Sequence, residues 1–171
     1  MLVNISATTV YDYNCIISFE YFYAASRKLF WTLMAAATLL VTAAFVVDIA
    51  ISDNNYFVFI GFGLVVLLDL VYIGLYFVYP RFAAKRAPVL GAIVHFDFYE
   101  EKINICSVGE KVRENIEIDY SCITCVKESK KYIYLFISKA QAYIVAKTGF
   151  SRGTPEALKC LLMRKGIKYS G

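Results

Sequence analysis

Two apolar stretches decide the fold: LFWTLMAAATLLVTAAFVVDIAI at residues 29–51 and YFVFIGFGLVVLLDLVYIGLYFVY at residues 56–79. Each stretch is long enough to form a helix across the hydrocarbon core of a bilayer, which takes about 20 residues. Only the four residues 52–55, SDNN, separate the two stretches. The sequence therefore predicts a membrane α-hairpin, with transmembrane helices over 29–51 and 56–79.

Charges at the ends of the hairpin predict its orientation. The turn carries Asp53 and no basic residue, whereas the outer ends carry Arg27, Lys28, Arg81, Lys85 and Arg86. Because loops rich in lysine and arginine stay in the cytoplasm, we expect a multi-pass protein with both termini cytoplasmic. The five cysteines would then face a reducing compartment, so no disulfide framework is expected.

The segment before the hairpin, residues 1–28, contains a short alternating stretch at residues 2–7 and then many aromatic side chains. We interpret it as a strand followed by a helix at the membrane interface, a depth that tyrosine favours. Thr9 and Asp12 have the spacing of a capping box, in which Thr9 would begin that helix.

After a basic linker at residues 80–89, the apolar period changes from helical to two, which is typical of half-buried antiparallel strands. Residues 132–137 are apolar on both sides and predict a central strand. Thr154, Pro155 and Gly166 mark the start and end of a final helix. The sequence predicts that residues 90–171 form an α+β domain, a small antiparallel barrel or curled sheet closed by a C-terminal helix.

Several short motifs in this domain resemble those of the YcxB-like bacterial membrane proteins. They include FDFYEEKI at 96–103, IDYSCI at 118–123, YIYLFIS at 132–138 and AYIVAK at 142–147. The chain is similar to that family in layout too, since both have a lead-in, a transmembrane hairpin and a C-terminal domain. The resemblance implies a bacterial inner-membrane protein whose cytoplasmic domain is PH-like, and it supplies no catalytic residues.

Asp69 is a carboxylic acid near the middle of the second apolar stretch. An acidic side chain at the bilayer centre costs roughly 2.5–3.5 kcal/mol on insertion scales, so it needs a partner or a proton. Thr38 and Thr42 lie at nearly matching depth on the first stretch. We expect Asp69 to pair with them or with another copy of the chain in a homo-oligomer. A role in proton or ion passage is the alternative.

Five basic residues of the C-terminal domain are candidates for contact with anionic lipid headgroups or with an unidentified cytoplasmic protein: Lys127, Lys130, Lys131, Lys147 and Arg152. The short linker would hold them beside the anionic inner leaflet. The formal net charge of +4 is too small, and the motifs are absent, for a nucleic-acid-binding protein.

Catalytic and metal-binding signals are weak. Cys122 and Cys125 have CxxC spacing, but a second ligand pair for zinc and a helix N-terminus that would activate a thiol are both missing from the pattern. The single histidine, His95, lies on the polar side of a strand. We therefore expect no cofactor, no metal and no enzymatic activity.

The sequence leaves two candidate functions open. The first is a non-enzymatic membrane protein that anchors a cytoplasmic PH-like binding or interaction module. The alternative is a small oligomeric transport or channel subunit centred on Asp69.

Overall fold

The computed structural model describes residues 5–26, 28–51, 56–139 and 141–170. Arg27 and the predicted turn at 52–55 lie outside these residues. The chain divides into two compact units. The sheet unit combines the described residues up to Phe19 with those from Ala84 onward, and the helical unit runs from Glu20 to Ala83.

Within the described residues, the sheet unit contains nine strands and most of two helices. The strands are β1 (Ile5–Val10), β2 (Ile93–Phe98), β3 (Lys102–Val108), β4 (Arg113–Asp119), β5 (Cys125–Glu128), β6 (Tyr132–Phe136), β7 (Ala142–Ala146), β8 (Phe150–Arg152) and β9 (Tyr169–Ser170). The helices are α1 (Tyr13–Ser26), which starts in this unit, and α5 (Pro155–Arg164). A first sheet has the order β4-β3-β2-β1-β8, and a second has the order β7-β6-β5-β9.

β1 is an interior strand of the first sheet, although it precedes the helical unit in the chain. It pairs antiparallel with β2 from Ile5 opposite Phe98 to Val10 opposite Ile93, and its other edge pairs with β8. The compact unit therefore differs from the domain that the sequence predicts at 90–171. The difference arises because β1 supplies backbone partners to strands on both sides.

No closed barrel is found among the described strands, which corrects the barrel expectation to two open sheets with short helices, antiparallel except for the parallel pair of β5 and β9. Side chains replace the backbone ladder where β1 meets β7. The Tyr11 hydroxyl accepts a hydrogen bond from the amide of Ile144, and the Thr9 hydroxyl accepts one from the amide of Ala146, both at 2.8 Å. On the other side, a 3-10 turn at Tyr120–Cys122 separates β4 from β5.

The inner faces of the two sheets form one core. Alternate residues of the strands are buried, and Phe96 of β2 meets Tyr143 of β7 edge to face, with ring centroids 6.2 Å apart. Leu158, Leu161 and Leu162 of α5 are also buried. As predicted, Thr154 caps this helix, accepting from the amide of Ala157, and Gly166 follows its end with a positive φ.

α1 covers the second sheet and explains why β6 is apolar on both sides. Phe19 lies 5.6 Å from Tyr134 and 6.0 Å from Phe136 by ring centroids. The N-cap of α1 is Asp12, whose carboxylate accepts from the amide of Cys15 at 2.7 Å. The capping-box interpretation with Thr9 as cap was wrong, because Thr9 is buried in β1 and its hydroxyl is used by β7.

The helical unit consists of the second half of α1, then α2 (Lys28–Ile51), α3 (Tyr56–Ile73), a π-helical turn (Gly74–Val78) and the first part of α4 (Tyr79–Arg86). α2 and α3 contact each other, and Trp31 packs edge to face on both Tyr72 and Tyr76. The helix continues through most of the predicted linker at 80–89. The π-helical turn ends beside Pro80, which has no amide hydrogen to continue an α-helical ladder.

One described helical stretch, Phe59–Arg86, is long and apolar enough to cross a membrane. Tyr13–Ala25 together with Phe30–Ala44 makes a second candidate only if that bent pair is counted as one span. By length and composition the described helices therefore give weak evidence for a membrane location.

The side-chain hydrogen bonds that the Tyr11 and Thr9 hydroxyls accept from β7 should contribute measurably to the free energy of unfolding. We expect Tyr11→Phe to lower the free energy of unfolding of the sheet unit by about 1–3 kcal/mol, because the buried amide of Ile144 loses its acceptor. Amide exchange of the detergent-solubilised full chain reports this as faster exchange at Ile144 and its neighbours in β7. Tyr13→Phe, at a tyrosine that is only partly buried, is the matched control and should leave exchange unchanged.

Candidate functional site

The five basic residues expected to bind headgroups or a partner do not form one cluster. Lys130 and Lys131 are exposed in the turn between β5 and β6, and Lys147 lies in the turn after β7. The amide of Lys147 donates to the carbonyl of Lys131 at 2.9 Å, so these two turns are adjacent. Arg152 lies in the other sheet, on β8, opposite Ser6 of β1.

Lys127 is held against an aromatic ring. It lies on β5 with its ammonium 5.4 Å from the centre of the Phe136 ring, a cation–π geometry. Its side chain is half-buried, whereas those of Lys130 and Lys131 are exposed. Lys127 is therefore less open to a ligand than its two neighbours in the turn.

Lys147 forms an ion pair within the protein. Its ammonium donates to Glu128, and the Tyr169 hydroxyl donates to the other oxygen of the same carboxylate at 2.7 Å. Lys159 of α5 adds a weaker ion pair at 3.8 Å and also lies over the Tyr169 ring. These four residues, which we call the Glu128 cluster, tie β5, β9 and α5 to the turn after β7.

The electrostatics of the Glu128 cluster follow from its hydrogen bonds. The bond from Lys147, and then the one from Tyr169, hold the pKa of Glu128 below its ordinary value, since both stabilise the carboxylate. Burial and the neighbouring carboxylate raise the pKa of Tyr169, so its hydroxyl keeps its proton and remains a donor. The cluster is thus a structural clamp in which Lys147 neutralises an internal acid.

Lys131 lines a surface pocket of about 470 Å³. The lining of this pocket also includes Thr8, Asp12, Thr148 and Gly149. Two polar groups there are already engaged, since the Asp12 carboxylate caps α1 and the Thr8 hydroxyl is hydrogen-bonded to His95 at 2.9 Å. Gly149 packs closely on β1, where an added Cβ would lie 1.9 Å from the carbonyl oxygen of Thr8. Lys131 thus lies at a concave surface of the sheet unit.

The predicted hydrogen bonds between Asp69 and Thr38 or Thr42 are not found in the described residues. The hydroxyl of Thr38 donates to the carbonyl of Met34 at 3.2 Å, and that of Thr42 donates to the carbonyl of Thr38 at 2.8 Å. Both threonines therefore bond to their own helix. Asp69 is exposed on α3, and no hydrogen bond or ion pair to it is found within the described parts of the chain.

The five cysteines are free, and Cys122 and Cys125 lie in the 3-10 turn and at the start of β5. Burial raises the pKa of the Cys15 thiol to about 12, so little of it is a reactive thiolate at neutral pH. In the described ranges, no group of three or more His, Cys, Asp or Glu side chains could hold a metal ion.

Sequence reasoning missed Glu128 and Tyr169. Glu128 resembles a solvated charge beside three lysines, and its partner Tyr169 is 41 positions further along the chain. No local pattern relates the two residues, because they meet only when β9 pairs with β5 in parallel.

The Glu128 cluster predicts an acid-dependent stability. Because the pKa of Glu128 is lowered by folding, its contribution is present above the ordinary glutamate value of about 4.3 and is lost as the pH falls through the folded value. Glu128→Gln should therefore lower the free energy of unfolding by about 1 kcal/mol at neutral pH, and should abolish this acid dependence.

Amide exchange in β5 and β6 across the acid range is the measurement. The control is Glu117→Gln, which breaks the exposed ion pair to Lys102 and should change much less. An equal loss in both variants would show that the Glu128 cluster is no stronger than a surface ion pair.

Comparison with known proteins gives a family match. Residues 98–162 fit the family model described as YcxB-like protein, which covers the sheet unit from the end of β2 to α5. No curated protein and no solved structure matches the chain. The family match agrees with the resemblance in the sequence motifs, and the sheet unit therefore contains a YcxB-like domain.

Proposed function

We propose that this chain is an integral protein of the bacterial inner membrane. Its two long helices anchor a cytoplasmic, PH-like and non-enzymatic module that binds a partner or the headgroup layer. The observation that carries the proposal is the interior position of β1, which precedes the helices and pairs with β2, which follows them.

This pairing constrains how the helices cross a bilayer. Both ends of the segment from Glu20 to Ala83 connect to the same folded sheet unit. A single crossing would leave β1 and β2 on opposite sides of the membrane, where they could not pair. If α3 with α4 crosses the bilayer, the chain must therefore cross it a second time, and α2 is the apolar helix that provides the return.

The surfaces of the two helices favour a lipid environment. Large apolar side chains are exposed on both, including Leu39 at 71%, Leu40 at 72% and Phe59 at 75%. Such extensive apolar exposure is unusual for a protein surface in water, whereas lipid-facing helices require it. The basic residues at the outer ends of the helices favour the cytoplasmic side for the sheet unit.

The architecture of the sheet unit supports a binding module. Two packed, mostly antiparallel sheets with a helix against their core resemble the PH-like arrangement that the family resemblance implies. The pocket beside Lys131 offers an exposed lysine, with Thr148 also in its lining, to a polar ligand. An anionic headgroup or an acidic segment of a cytoplasmic protein would suit this chemistry.

The topology can be tested with a reporter that is active only outside the cytoplasm. Alkaline phosphatase inserted after Asn54 in the turn should be active, because the turn would face the periplasm. The same enzyme fused to the C-terminus is the matched control and should be inactive. Activity at both positions, or recovery of the untagged chain in the soluble fraction, would contradict the anchored topology.

One observation favours the alternative, an oligomeric transport or channel subunit. Asp69 is exposed on an apolar helix, and the two nearby threonines bond to their own helix. An acid in this position is costly to leave in lipid, and a second copy of the chain would bring another Asp69 or a hydroxyl against it.

Asp69→Asn and Asp69→Leu distinguish this alternative. If Asp69 serves proton passage, vesicles containing either variant should fall to the flux of empty vesicles, since neither side chain exchanges a proton. If Asp69 only joins copies, Asp69→Asn should keep the oligomer, because an amide still hydrogen-bonds, and Asp69→Leu should lose it. Cross-linking in membranes and vesicle flux measure the two effects separately.

A further inference from the structure

The outer face of the first sheet carries an apolar row at one end. Val10 lies opposite Ile93, and Ile93 lies opposite Val108, so three side chains on adjacent strands stand side by side. They are 54%, 41% and 45% exposed. Because the outer face of a two-faced strand normally carries polar side chains, this row needs an explanation.

The rest of that face becomes steadily more polar away from the apolar row. The next row across β1 to β4 is Thr8, His95, Cys106 and Asn115, and the row after it is Ser6, Asp97, Asn104 and Glu117. The face therefore has a polarity gradient along the strands, with its apolar end at the end of β1 and the start of β2.

The apolar end coincides with the points where the chain leaves and re-enters the sheet. Val10 lies three residues before α1 begins at Tyr13, and Ile93 lies seven residues after α4 ends at Arg86. Those connections are the two that lead to the apolar helices. Both chain connections toward the proposed membrane anchor therefore start at this end of the sheet.

Basic side chains lie at both ends of the row. On β4, Arg113 is opposite Val108 and extends the row, and Lys111 precedes it in the exposed turn together with Glu110. At the other end, Val10 lines the same pocket as Lys131 and Asp12. Apolar side chains flanked by arginine and lysine are typical of surfaces that enter the headgroup region of anionic membranes.

We propose that Val10, Ile93 and Val108, with Arg113 and Lys131 at the two ends, form a lipid-contact edge. Through this edge the sheet unit rests on the anionic headgroup layer of its own membrane. The inference rests on the proposed membrane anchor. Three small side chains would bind a vesicle weakly by themselves, but a tether of a few residues raises their effective concentration at the surface. The edge orients the sheet unit and places the pocket beside Lys131 at headgroup depth.

Tryptophan quenching by brominated lipid tests the edge in the full chain. The chain has a single tryptophan, Trp31 in α2, which reports membrane insertion of the helices in the unmodified protein. In a Trp31→Phe background, Val108→Trp and Ile93→Trp place the probe in the apolar row. Glu117→Trp is the matched control on the same face, about 13 Å further along β4 from Arg113 at the usual strand rise.

The protein is reconstituted in mixed phosphatidylcholine and phosphatidylglycerol vesicles whose phosphatidylcholine is brominated at a shallow acyl position. Side chains at an interface enter the headgroup and acyl boundary by roughly 5–10 Å, so the two row variants should lose about half or more of their fluorescence. Glu117→Trp should lose little. Removing phosphatidylglycerol should reduce the quenching in the row variants, because Arg113 and Lys131 lose their anionic partners.

Three other outcomes overturn the inference in distinguishable ways. If Trp31 is quenched but both row variants behave like Glu117→Trp, the anchor stands and the lipid-contact edge does not exist. A blue-shifted, unquenched signal that changes with protein density would mean that a second copy covers the row. If Trp31 itself is not quenched, the proposed membrane anchor fails and the edge fails with it.

Discussion

β1 and β2 pair along six residue positions, from Ile5 opposite Phe98 to Val10 opposite Ile93, although the whole helical unit lies between them in the chain. Ser6 and Asp97, which hydrogen-bond across this pair, are 91 positions apart. β1 joins β8 to the rest of the first sheet, because among the described strands it lies between β8 and β2. The closure entropy of so long a loop grows only slowly with its length, so a compact helical insertion is compatible with a stable sheet.

The same strand explains why the expected barrel is absent. A closed barrel requires the last strand of one sheet to exchange backbone hydrogen bonds with the first strand of the next. Here the edge amides of β7 are satisfied instead by the hydroxyls of Thr9 and Tyr11. Thr9 and Tyr11 are two positions apart in the chain, which matches the two-residue spacing of Ile144 and Ala146. Side chains thus satisfy the buried amides that an open edge would otherwise leave unpaired.

Features with a local cause were predictable from the sequence. The period-two strands, the central strand over 132–137 and the Thr154 cap of α5 depend on alternation and on backbone groups a few residues apart. Features that depend on distant partners were not predictable. Thr9 looks like a helix cap because Asp12 follows at the right spacing, but the amide of Ala146 is its partner.

In the candidate site, too, contacts between residues that are distant in the chain were not predictable from the sequence. The sequence located the basic residues, but it could not show that Glu128 neutralises Lys147 or that Phe136 holds Lys127. The period-two pattern likewise predicts strands with polar side chains on the outer face and apolar side chains on the inner face. The exposed row of Val10, Ile93 and Val108 breaks that rule, and the row forms only because the strand register pairs Val10 with a residue far along the chain.

The match to the YcxB-like model starts at Phe98, the last residue of β2, yet the sheet that contains this domain needs β1. Without β1 and the adjoining Tyr11, one edge of β2 and one edge of β8 would lose their backbone partners, and two amides of β7 would lose their acceptors. Exposed strand edges of this kind favour aggregation. The helices that follow β1 are therefore inserted within the folding unit of the sheet, since the chain must pass through them before β2 can pair.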